Sequence, residues 1–296
     1  MKPALETPAS DTPLPRVRSI TLLQPLQWLA LAWHDIVRCG WVSFAHGLVL
    51  ALLGGLLLMV AHDRFWLLAG AFSGFLVIAP VLATSLYALS RAIERGENAD
   101  VRLVFKTWTN WQSSHTNKWG NDYWALVQFG SLLALAALGW MLTSAAFVTL
   151  FTPSPVNSPL EFVRHVVLAE DGFVFELWLG LGGLLAAPMF ASSVVSIPFL
   201  LDRRVTLKQA VLTSWRTVLA NPAPMAFWAF LIMAFTLLGF ASLLLGLIPI
   251  IPMLGHASWH AYRDLVDVSE LPERTASLQT KSKSKSKSKS KTEANR

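Results

Sequence analysis

Long apolar runs separated by short polar breaks dominate the chain. The first runs from Trp41 to about Ala61, where Ala61, His62, Asp63 and Arg64 interrupt it, and a second runs from Phe65 to about Ser90. A third covers about Tyr123 to Phe151, and a fourth Phe173 to Leu201. The stretch from Ala223 to Tyr262 has room for two more helices, turning near Leu245 to Pro249, where Gly246 frees the backbone and Pro249 removes a donor. Crossing a bilayer takes about 20 apolar residues. The last helix would have about 16, roughly 24 Å, and is the shortest of the set. The pattern predicts an all-α, polytopic transmembrane helical bundle of six helices as three hairpins.

Each hairpin is preceded by a segment whose apolar positions recur near every 3.6 residues. In the first, Leu22, Leu26, Leu29, Trp33 and Ile36 share a face; in the second, Val101, Val104, Phe105, Trp108 and Trp111. The third uses Leu207, Ala210, Val211, Ser214, Trp215 and Val218, and opens on a capping-box pair, Thr206 and Gln209. Tryptophan suits the headgroup layer, so three interfacial amphipathic helices are expected.

The second, fourth and sixth helices share a local signature. Glycine stands six residues before proline at Gly74–Pro80, Gly182–Pro188 and Gly246–Pro252, and small or polar residues follow. Beyond the first two prolines, Glu94-Arg95 and Asp202-Arg203 fall at equal distances and are expected to set helix ends and pair with each other. Divergent triplication and the ordinary frequency of glycine and proline in membrane helices both produce such a pattern.

Composition agrees with a membrane protein: 54% of residues are hydrophobic, 14% are charged, and the mean hydropathy is +0.49. The net charge of +6 belongs to the tail, where residues 281–291 alternate lysine and serine; residues 1–280 balance to zero. Nucleic-acid binding by the folded body therefore has no support. The expected organisation is a disordered cytoplasmic leader over 1–21, a six-helix membrane domain over 22–266, and a disordered Lys/Ser-rich cytoplasmic tail over 267–296. The single cysteine, Cys39, excludes an internal disulfide and a thiolate cluster. Basic residues concentrate in the leader, between spans two and three, and between spans four and five, which puts both termini in the cytoplasm.

Ionisable residues within the spans are few. His46 lies five residues into the first span, and His256 and His260 lie one turn apart near the end of the last, on one face and at comparable depth. They are expected to approach one another, with Trp259 directed elsewhere or to lipid. They fit three roles: hydrogen-bonded helix packing, proton or substrate handling, or a metal site at His46, His256 and His260, since two histidines one turn apart can share one ion. Asp35 is expected at the headgroup layer, paired with Arg263 or another base. Nucleophile elbows, phosphate loops and paired intramembrane carboxylates do not occur, which speaks against catalysis. No cofactor is assigned.

The strings AWHDI at Ala32, GFLVIAPVLATSLYALSRAIERGE at Gly74, SSVVSIPFLLDRRV at Ser192, SWRTVLANP at Ser214 and LGLIPIIPMLGHASWHAYRDLV at Leu245 resemble an uncharacterised family of bacterial integral membrane proteins, the domain of unknown function 2189. The resemblance implies a bacterial cytoplasmic (inner) membrane as the location. The expected partners are the lipid bilayer and a respiratory or other membrane complex, or a second copy of the chain. Two functions follow as expectations: a non-enzymatic accessory or assembly component acting through membrane partners, or a small-solute transporter or channel.

Overall fold

The structure is a computed structural model that describes residues 14–60, 70, 79, 81–113, 124–152, 154–169, 173–271 and 273. In chain order the helices are α1 (Gln24–Cys39), α2 (Trp41–Val60), α3 (Thr84–Glu94), α4 (Val101–Ser113), α5 (Trp124–Phe151), α6 (Val174–Ser193), α7 (Ser196–Asp202), α8 (Leu207–Ala220), α9 (Pro222–Ala241) and α10 (Leu247–Leu265). A single helical turn and a π-helical turn lie between α5 and α6, over Pro159–Phe162 and Val163–Val167.

The chain is all-α and polytopic, but the expected six spans in three hairpins do not hold. Among the described residues four helical segments are long and apolar enough to cross a bilayer: α2, α5, α6 continued through α7 (Val174–Asp202), and α9. Most of the expected second span, with Gly74 and Pro80, lies outside the described residues. The expected sixth span, α10, does not qualify. It reaches 19 residues, but its C-terminal half carries His256, Ser258, His260, Arg263 and Asp264, whose transfer into hydrocarbon is costly. That half packs inside the protein instead, with His256, Trp259 and Tyr262 all buried. The turn before it also falls earlier than expected, at Ser242–Gly246, where Leu243 and Leu244 both take positive φ.

α10 is the centre of the fold, lying against α1, α2, α3, α7 and α9. Glycine permits the closest approaches: a Cβ on Gly47 of α2 would collide with the backbone of Leu247 and Ile248, and one on Gly255 would meet the Leu86 side chain of α3. The core beside α10 is aromatic. Trp28 of α1 meets Trp228 of α9 edge-on at 5.5 Å, and Tyr262 packs against Phe199 and Trp259. The Trp28 indole N–H donates to Asp264 (2.7 Å), tying α1 to the end of α10.

The amphipathic segments form helices, with one face different from that expected. α1 buries Trp28, Ala32, Asp35, Ile36 and Cys39, while Leu22, Leu26 and Trp33 are exposed. The hydrogen-bonding demands of Trp28 and Asp35 outweigh the aliphatic stripe. The capping box at Thr206 and Gln209 forms as expected. Residues ahead of α1 belong to the fold: Arg18 N–H donates to Leu265 O, Asp267 N–H donates to Arg16 O, and the Asn221 amide bonds both Ile20 and Arg18.

Candidate functional site

Two polar clusters stand at the same end of the bundle. The first joins α1, α2, α3 and α10 through the three histidines. On α2, Val42, Ser43 and His46 occupy one face. The carbonyl of Val42 only accepts, so His46 donates to it from Nδ1 (2.8 Å). In the neutral ring Nε2 then accepts, and Ser85 of α3 supplies the hydroxyl hydrogen at 2.7 Å.

His256 is fully buried, and both its ring nitrogens are engaged, Nε2 with Ser43 Oγ at 2.9 Å and Nδ1 with Ser90 Oγ at 2.6 Å. Donor counting fixes the direction. Ser90 spends its one hydrogen on Asp35 Oδ2 (2.6 Å), so its oxygen must accept from His256 Nδ1–H. The neutral His256 ring therefore accepts at Nε2 from Ser43. The result is a chain from Ser43 through His256 and Ser90 to Asp35. His260 closes it from the other side, donating Nε2–H to Asp35 Oδ2 at 2.9 Å. Burial pushes the Asp35 carboxyl up, but the bonds from His260 and Ser90 outweigh it, and the group titrates below the ordinary aspartate value.

The three histidines thus stand at one end: Ser90 and Asp35 link His256 to His260, while His46 bonds separately to Val42 and Ser85. Two expectations left open resolve to one of their alternatives. Asp35 pairs with His260 and Ser90, while Arg263 bonds Glu94 (2.8 and 3.0 Å). Trp259 does not face lipid: it is buried and donates to Glu94 at 3.0 Å. Sequence reading missed Ser43 and Ser90, whose only signal was their helical spacing; Ser85 was among the small or polar residues noted after the first glycine–proline pair. A metal at the three histidines would need its ligands to converge. Among the described residues no three His, Cys, Asp or Glu side chains are grouped to hold an ion, and the four ring nitrogens of His46 and His256 already bond to hydroxyls and a carbonyl.

The second cluster lies at the ends of α3, α7 and α10 and consists of charges. Arg95 meets Asp202 at 3.2 Å, so the two hairpin-end pairs do bond to each other. Arg203 and the Tyr262 hydroxyl bond the other Asp202 oxygen, at 3.0 and 2.9 Å, and Arg91 donates to the Leu201 carbonyl. A cavity of about 110 Å³ opens between these residues. The second cavity of note, about 370 Å³, lies at residues 148–157 beside the end of α5, away from both clusters.

Four apolar segments of membrane-crossing length, joined to buried polar contacts at one end, define a polytopic α-helical membrane protein. Residues 67–202 match the model of the family described as "Predicted integral membrane protein (DUF2189)". That region covers α3 to α7, the resemblance string beginning at Gly74, and the one beginning at Ser192 as far as Asp202. No curated protein and no solved structure matches the chain.

Proposed function

We propose that the protein is a non-enzymatic component of the bacterial inner membrane, with both termini cytoplasmic, that works through other membrane proteins as an accessory or assembly factor. One observation carries this reading: the polar side chains that a substrate path would need are spent on each other. Ser43, Ser85, Ser90 and His256 have at most 1% exposure, and all of them bond within the protein. Such a network fixes the register of four helices and leaves none of these four side chains to greet a solute. The membrane surface, in contrast, is left largely uncovered. Only 17% of the apolar window of α2, and the same share of α5, is buried within the chain.

Cross-linking in native membranes tests the proposal. A Cβ at Gly55 or Gly139 meets nothing within 4 Å, so each position accepts a cysteine in a Cys39→Ala background. A cross-linked species of one defined mass is the expected result, and a mass of twice the chain identifies self-association. Lipid adducts alone, together with solute-dependent flux in proteoliposomes, would turn the reading towards a small-solute transporter. Reporter fusions at Ser158 and Lys208 should lie on opposite faces of the membrane, with residue 208 cytoplasmic.

A further inference from the structure

The charged cluster contains a feature that helix packing does not require. Past α10 the chain turns back across the ends of α3 and α7, and Glu273 pairs with Arg203 as an isolated antiparallel bridge. Its carboxylate spreads over two arginines: Oε2 lies 3.2 Å from Arg95 and Oε1 lies 3.5 Å from Arg203. One oxygen to each guanidinium is the arrangement in which arginines grip a carboxylate or a phosphate. The two arginines are mostly buried, with 26% and 10% of their side chains exposed, whereas Glu273 is 47% exposed. The clamp is thus built into the body, and its occupant comes from the surface.

The charge balance points to an exchangeable occupant. Arg91, Arg95, Arg203 and Arg263 line the cavity with Glu94, Asp202 and Glu273. With Glu273 withdrawn, Arg95 and Arg203 both remain on the one carboxylate of Asp202. The vacated position adjoins the cavity of about 110 Å³, which has room for several waters or one phosphate group. Its depth also fits. Asp202 ends the apolar span Val174–Asp202, so Arg203 stands where hydrocarbon gives way to headgroups, the level at which basic residues meet anionic lipid.

We propose that Arg95 and Arg203 form a binding site for an anionic phosphate, that of a phospholipid headgroup at this membrane face, and that Glu273 occupies the site as an internal competitor. Docking of Glu273 and binding of phosphate exclude each other.

The test uses the full-length protein in detergent, titrated with short-chain phosphatidic acid and followed by native mass spectrometry. Glu273→Gln removes the competing charge and keeps the side-chain size. It is expected to tighten binding by about five- to tenfold, the gain from freeing a site otherwise occupied most of the time. Arg95→Gln is expected to abolish binding, alone and combined with Glu273→Gln. Short-chain phosphatidylcholine, which carries no net charge, should bind weakly and equally to all variants. Because Arg203 also holds the Leu271 carbonyl at 2.8 Å, its loss alters the fold and Arg95 is the informative residue. Displacement of phosphatidic acid by inorganic phosphate at similar concentration would support the clamp and make the free ion its ligand. Unchanged affinity in Glu273→Gln would overturn the proposal, as would lipid binding that survives in Arg95→Gln.

Discussion

The histidine–serine cluster and the arginine–carboxylate cluster lie side by side on α3 and α10, yet they solve the burial of polar groups in opposite ways. The first is almost wholly buried and contains one carboxylate among hydroxyls and imidazoles, each hydrogen assigned to a single acceptor. The second is a lattice of full charges at the rim, with a cavity and partly exposed members. The neutral groups of the inner cluster match donors to acceptors one for one, and its single buried charge, Asp35, is held by hydrogen bonds from Ser90 and His260. In the outer cluster the buried Asp202 is matched by Arg95 and Arg203, and the Glu94–Arg263 pair reaches the rim. The inner cluster should therefore govern stability, and the outer one should respond to ions and ligands.

His256→Ala breaks the inner cluster most severely. It opens a void and strips Ser43 and Ser90 of a partner, so a loss of about 3–5 kcal/mol is expected in unfolding followed by intrinsic fluorescence. Gly47→Ala attacks the same helix junction through packing. Its methyl group meets the main chain of α10, which cannot rotate away, and about 2–3 kcal/mol should be lost. Gly255→Ala should cost about 1–2 kcal/mol, since its methyl group meets the Leu86 side chain from Cδ1 back to Cβ, and that buried residue must shift.

Asp35→Asn sharpens the contrast. An amide oxygen can still accept from Ser90 and His260, so the loss is the charge assistance, about 1–2 kcal/mol. The wild-type carboxyl is held below its ordinary value of 3.8, so its contribution is complete above that pH and disappears as pH falls through the folded-state value. Thermal melts of wild type should drop on acidification below pH 3.8 by more than those of the asparagine variant. The outer cluster yields the smallest effect. Neutralising the half-exposed pair with Glu94→Gln should cost less than about 1 kcal/mol, and added salt should shrink the difference. An equal or larger loss than for Asp35→Asn would erase the distinction between the clusters.

Sequence reading reached the histidines because their spacing and depth are arithmetic on a helix. Ser43 and Ser90 escaped it: a hydroxyl in a membrane helix ordinarily bonds its own preceding carbonyl, as Thr236 and Ser258 do here, and nothing in the string marks Ser90 as different. Asp35 was placed at the surface because a carboxylate near a tryptophan reads as an anchor; the aligned Trp28, Ala32 and Asp35 of the buried face were the better guide. Hydropathy likewise overstated the spans. Leu247–Met253 is apolar enough to suggest a crossing, but the polar half of α10 finds its partners within the protein, which no window average can anticipate. The turn before it rests on two leucines at positive φ, a conformation that side chain does not advertise.

The bond between Ser43 and His256 joins residues 213 positions apart. At a synthesis rate of about 5–20 residues per second, roughly 10–40 s pass between the emergence of the two partners. Throughout that interval α2 is already a hydrophobic helix carrying His46 and Ser43, with α10 not yet made. The nascent protein thus waits in an unfinished state whose lifetime is set by the ribosome, and any insertion chaperone that shields α2 must release it only when the last helix arrives.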